Sequence, residues 1–289
     1  MQAIRSGIVH RGVALAATCL PLASCSEGVL APHGPIGESE RVILYDATAI
    51  MLAVVIPVIL LTIGFAWWFR AGNPWARYLP NWEYSGRIEM IVWSIPTLVI
   101  VFLGGIAWIG SHDLDPPQAI GSATPLELEV VSLDWKWLFI YPEDGIASVN
   151  RLVVPVGRPV RFHLTSATVM NSFFVPELGS QIYTMPGMTT QLNLQADQAG
   201  LYKGLSAQFS GDGFSDMRFE VAAVPADQFA SWVGSAKAQG RALDSAAYDA
   251  LALPSKAVEP ATYAPVADGL FESITGGRMS ADDAAHGEQ

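Results

Sequence analysis

Two runs without a single charge leave this sequence little freedom about where it can fold. Ala47–Phe69 is 23 residues long and Met90–Gly110 is 21, and about 20 apolar residues suffice to cross a bilayer as a helix. Pro57 and Pro96 fall inside these runs, which membrane helices tolerate better than soluble ones. Trp67, Trp68 and Phe69 close the first run, and Trp93 and Trp108 sit near the ends of the second, as aromatic side chains do at a membrane–water boundary. Charged residues make up only 15% of the chain, against about 25% in soluble domains. A transmembrane hairpin is therefore expected, with helices over residues 43–69 and 89–110. The loop between them, residues 70–88, carries Arg70, Arg77 and Arg87 against Glu83. Its basic excess predicts a cytoplasmic loop, with both flanking segments outside.

Residues 1–24 read as an export signal. Arg5 and Arg11 provide a basic start, and Gly12–Ala23 is an apolar stretch too short to span a membrane. The run Leu22-Ala23-Ser24-Cys25 resembles the bacterial lipobox, whose cysteine is diacylated and becomes the mature N-terminus. Cys25 is the expected lipidation site, residues 25–42 a periplasmic segment, and membrane lipid the first expected partner. One acylated cysteine alone gives reversible anchorage. Cys19 would leave with the signal, so no cysteine remains in the last 264 residues. That excludes a disulfide framework, a cysteine nucleophile and a thiolate metal site over that length. A net charge of −11 also excludes nucleic acid as a partner, because phosphate recognition needs a basic surface.

Residues 124–224 alternate with the period of half-buried strands. Leu126, Leu128 and Val130 interleave with Glu127 and Glu129; Val160, Phe162 and Leu164 with Arg161 and His163; Met217, Phe219 and Val221 with Arg218 and Glu220. Pro142, Gly157, Pro186-Gly187, Gly211 and Gly213 punctuate these stretches, so an all-β sandwich or barrel is expected. From residue 225 to 289 the chain turns alanine-rich over Asp227–Gln239 and Asp244–Leu253, then polar and weakly patterned. A helical, partly disordered tail is the expectation there.

Three segments carry a resemblance. Asp134-Trp135-Lys136-Trp137-Leu138-Phe139, Glu89 followed by Trp93 and Pro96, and Met170–Gly187 with its Asn-Ser-Phe-Phe-Val-Pro and Met-Pro-Gly runs resemble subunit II of the haem–copper respiratory oxidases over residues 40–224. With the lipobox and the tail, the chain is similar to the quinol oxidase branch of cytochrome bo type. The resemblance implies a cupredoxin-like outer domain in the periplasm, anchored in the bacterial inner membrane.

In the cytochrome c oxidase branch that domain holds a dinuclear copper centre, for which bridging thiolates and imidazoles are suited ligands. The resemblance places the corresponding positions at Asn171, Ser206, Gln208, Ser210, Phe214 and Met217, where only one thioether survives as a metal donor. It implies a chain with no cofactor of its own and no cytochrome c partner. Haems, copper and ubiquinol would belong to subunit I, with further small membrane subunits alongside. The function so implied is the non-redox second subunit of a terminal ubiquinol oxidase that reduces O2 to water and translocates protons. Two alternatives stay open: a cytochrome c oxidase subunit II with a degenerate copper site, and a membrane-tethered envelope lipoprotein.

The single residues divide along the same line. Trp135 is the electron-entry position in the copper-bearing relatives; here its alternation with Trp137 and Phe139 reads as packing. His163 falls on the polar face of a strand and reads as a hydrogen-bonded surface residue. Met170, Met185 and Met188 read as packing residues. Glu89 has two readings: a first-turn carboxylate favoured by the helix dipole, or, by the resemblance, the entrance of a proton pathway into subunit I, where ionisable groups at membrane helices are expected.

Overall fold

The computed structural model describes residues 28–77 and 79–276; the signal segment and Cys25 lie outside the described residues. The described chain forms two compact units, residues 39–115 and residues 28–38 with 116–276.

The first unit is a helical hairpin. Helix α1 (Pro35–Trp68) begins well before the apolar run. Proline at a first helical position has the required φ and no N–H to waste, and Glu38 in the first turn suits the positive end of the helix dipole. The expected 43–69 span marks the lipid-compatible part of a longer helix, whose early turns carry Glu40, Arg41 and Asp46. Helix α2 (Gly86–Asp113) likewise exceeds residues 89–110 at both ends. The two run antiparallel and close: a Cβ on Gly110 would lie 2.8 Å from Cδ1 of Ile43. None of the most apolar stretch of either helix is buried.

The second unit is a two-sheet sandwich. Its strands are β1 (Leu126–Leu133), β2 (Lys136–Tyr141), β3 (Ile146–Val149), β4 (Arg151–Pro155), β5 (Val160–Ser166) and β6 (Asn171–Phe174), then β7 (Ile182–Thr184), β8 (Thr190–Leu194), β9 (Gly200–Ser206), β10 (Arg218–Val224), β11 (Arg241–Leu243) and β12 (Ala261–Val266). One sheet runs β11-β12-β3-β2-β1-β5-β8 and the other β4-β10-β9-β6-β7. Pairing is antiparallel except for β1 with β5, β4 with β10, and β11 with β12.

The alternating residues behave as their period demands. Leu126, Leu128, Val130, Phe162, Leu164, Phe219 and Val221 all face the core between the sheets. At its centre Phe173 stacks on Phe219 at 5.0 Å, with Trp137 edge-on to Phe173 at 5.5 Å. Gly204 makes room: a Cβ there would sit 2.1 Å from the Phe219 ring.

The two alanine-rich stretches of the tail are helical as expected, and the described part adds elements that the sequence did not suggest. Helices α3 (Ala226–Gln239), α4 (Ser245–Ala252) and α5 (Leu270–Thr275) are accompanied by β11 and β12, which extend the larger sheet beyond β3. Together they cover its outer face. Val131, Leu133, Leu138, Ile140, Ala147 and Val149 form a second core there with Leu243, Tyr248, Leu270 and Phe271. Apolar burial on both faces is why all six β2 residues are buried, and it ties down the tail residues up to 276.

The segment before α1 is also fastened to this unit. The His33 N–H donates to the Glu177 carbonyl at 2.7 Å, the His33 carbonyl accepts from the Asp197 N–H at 2.8 Å, and the imidazole packs 5.4 Å from the Tyr202 ring.

Candidate functional site

The turn between β1 and β2 organises one corner of the sandwich. Trp135 sits there at φ 63°, in the left-handed region that non-glycine residues seldom enter. Three consecutive side chains reach three different loops from this turn. Asp134 accepts a hydrogen bond from the Thr168 hydroxyl at 2.6 Å. The Trp135 indole N–H donates to the Ser210 carbonyl at 3.0 Å. Its ring lies against Gly213, where a Cβ would come within 2.3 Å of it. Lys136, buried in spite of its charge, donates to the Leu253 carbonyl at 2.8 Å and to the Ser255 hydroxyl at 2.6 Å. Burial pulls its ammonium below the usual lysine range, with the Asp134 charge opposing. Lys256 then rests 5.4 Å over the Trp135 ring.

Within the corner those loops bring Asn171, Ser206, Ser210 and Met217 together. The Ser206 hydroxyl donates to Asn171 Oδ1 at 3.1 Å, with the Gln208 carbonyl at 3.3 Å as a second acceptor. Asn171 Nδ2 donates to the Val169 carbonyl at 3.1 Å and to Ser132 Oγ at 3.4 Å, and Ser132 exchanges a hydrogen bond with Thr184 at 2.9 Å. The Ser210 hydroxyl points at the Met217 sulfur from 3.8 Å. Phe214, in a short 3-10 turn, stacks edge-on against exposed Phe209 at 5.6 Å. Asn171, Ser206 and Met217 are all buried.

Chemically this is a neutral, mutually satisfied cluster. Two hydroxyls, a carboxamide and one thioether offer neither thiolate nor imidazole, so the donor set does not fit copper. Among the described residues no group of three or more His, Cys, Asp or Glu is placed to hold a metal ion. His163 lies elsewhere, on the outer face of β5, with Nε2 3.0 Å from Glu127, as a polar-face histidine should. Trp137 and Phe139 are core residues while Trp135 is half-buried against the loops, which fits packing for all three. Glu89 lies in the first turn of α2, exposed, with its N–H bonded to the Ser85 carbonyl at 3.0 Å. Ser132, Thr184 and Lys136 are the members sequence reasoning missed. Only Lys136 left a signal, a lone charge inside a run of aromatic and aliphatic residues.

Comparison with known proteins bears on this corner. Residues 131–224 match the family described as cytochrome c oxidase subunit II, periplasmic domain, and residues 237–279 match the COX aromatic rich motif. The chain is 49% identical to ubiquinol oxidase subunit 2 of Acetobacter aceti over 89% of its own length and 84% of that protein. It is 46% identical to cytochrome bo(3) ubiquinol oxidase subunit 2 of Pseudomonas aeruginosa, over 94% and 83% of the two chains. The chain belongs to the ubiquinol oxidase subunit 2 family. The quinol oxidase subunit 2 of Bacillus subtilis is more distant, at 35% identity over 86% of this chain and 78% of that one. Membership favours the oxidase reading over both alternatives, and it makes the protein a membrane-anchored subunit of a haem–copper oxidase complex, with other oxidase subunits as its partners. The aromatic rich motif covers the tail elements that close the second core.

Replacing Asn171 should expose how far the corner depends on its network. Asn171→Ala leaves the Ser206 and Ser132 hydroxyls short of a partner, at a cost of about 1–3 kcal/mol. Adding Ser206→Ala should cost less than the two single changes together, because they share a bond. Chemical denaturation of the three variants checks this. Wild-type stability in Asn171→Ala, or strict additivity, would contradict it.

Proposed function

We propose that this chain is the non-redox second subunit of an inner-membrane terminal oxidase that oxidises ubiquinol, reduces O2 to water and translocates protons. The observation that carries the reading is the corner itself: where the copper-bearing branch keeps its metal ligands, Asn171, Ser206, Gln208, Ser210, Phe214 and Met217 form a packed, hydrogen-bonded patch without thiolate or imidazole. A domain so built takes no electron from cytochrome c. The reducing substrate then delivers its electrons within the membrane, to haems and copper held by subunit I. The outer domain, with the hairpin and the further membrane subunits, supports that subunit.

Two attachments complete the reading. Cys25 carries diacylglycerol, which adds to the hold of two helices that already suffice for anchorage. The loop of residues 70–88 faces the cytoplasm and the β-domain the periplasm, which puts Glu89 at the cytoplasmic end of α2. There the carboxylate faces subunit I and collects protons for its interior, since a charge facing lipid costs several kcal/mol.

The direct test is substrate use by the complex purified through a tag on this chain. It should contain haem, consume O2 with ubiquinol and ignore reduced cytochrome c. Turnover with cytochrome c would overturn the reading. Glu89 is tested in the same preparation. Glu89→Ala should slow quinol turnover several-fold with unchanged haem content, and Glu89→Asp should restore much of the rate because a carboxylate returns. A wild-type rate in Glu89→Ala would leave Glu89 a helix-start residue only.

A further inference from the structure

On the outer face of β1 the polar alternation ends at Glu129. Glu127 before it is held by β5, with Arg161 Nη1 at 2.9 Å and His163 Nε2 at 3.0 Å. Val131 and Leu133 after it belong to the apolar core beneath the tail. Glu129 stands opposite His163 on one side and Ile140 on the other, yet among the described residues no basic group is ion-paired with it, because Arg161 and His163 are both engaged by Glu127. It opens instead on a cavity of about 130 Å³ lined by Ile140, Tyr141, Leu270, Phe271 and two further acids, Asp268 and Glu272, from helix α5 and the turn before it.

We propose that Glu129, set beside Glu272, makes the seating of the C-terminal helix α5 on the sheet depend on pH, closed when Glu129 holds a proton and loosened when it is ionised. The geometry forces the conflict. Phe271 and Leu270 insert into the second core, and their insertion brings the Glu272 carboxylate to the same cavity as Glu129 with no cation between them. Burial, then the charge of Glu272, raises the Glu129 carboxyl from 4.5 to about 7. The seated state thus holds a proton that the lifted state, with an ordinary carboxylate, releases. Seating is strongest at low pH and weakens as pH rises through about 7. The inference goes beyond the oxidase reading and stands on the fold alone.

Hydrogen–deuterium exchange of the purified full-length complex, corrected for intrinsic exchange rates, tests it between pH 6 and 8. Protection of residues 269–276 should fall by roughly tenfold across that range, because the equilibrium shifts about tenfold per pH unit up to about 7 and levels off above it. Glu129→Gln, which is neutral and nearly isosteric, should keep the helix protected at every pH, and Glu272→Gln, which removes the smaller of the two causes, should lessen the dependence. His163→Gln should leave it as in the wild type. Protection that does not change with pH in the wild type overturns the proposal. So does a pH dependence that survives Glu129→Gln, or one that vanishes in His163→Gln, which would assign it to the imidazole.

Discussion

The left-handed turn at Trp135 is the constraint on which the outer corner rests. It reverses the chain between β1 and β2 and delivers Asp134, Trp135 and Lys136 to three loops distant in sequence. The strained backbone costs on the order of 1–3 kcal/mol and persists only where its surroundings over-determine it. Here they do: an indole flat against Gly213, an ammonium sealed under the Leu253 carbonyl, and a carboxylate closing on Thr168. A metal centre can clamp loops by coordinating them; this corner is clamped by hydrogen bonds and aromatic contact.

The second constraint is the two-sided apolar character of β2 and β3. Trp137, Phe139 and Tyr141 face the inter-sheet core while Leu138 and Ile140 face outward, so the strand cannot remain half solvated. The residues after 225 cover it. Asn150 adds a polar tie, accepting from the Trp137 N–H at 2.9 Å and donating to the Val258 carbonyl at 2.8 Å. The tail and the loops of the corner are thereby linked through the same strand, Lys136 at its start and Asn150 beside it.

Much of this was legible in the sequence. The uncharged runs announced both membrane helices, although length alone could not show that α1 begins at Pro35, since its early turns are charged. Period-2 alternation located β1, β5 and β10, the strands with one polar face. It was blind to β11 and β12, three and six residues long, whose reason for existing is the open edge of β3 rather than any pattern of their own. At the corner, family spacing pointed to Asn171, Ser206, Ser210 and Met217, and the structure brings these four together. Of their partners, Ser132 lies 39 residues from Asn171 and 52 from the Thr184 hydroxyl it bonds, and only tertiary structure assembles them. Glu127 and Glu129 look equivalent as a sequence pair; the cover of α5 separates a paired carboxylate from an unpaired one.

Copper binding by this chain decides most directly whether the corner has exchanged a metal clamp for a polar one. The chain, separated from its partner subunits under conditions that keep it folded, is incubated with copper, desalted and analysed for bound metal and near-infrared absorption. A hydroxyl, carboxamide and thioether cluster should retain none and stay spectroscopically silent. Stoichiometric copper with a near-infrared band would contradict this and return the chain to the electron-accepting branch of the family.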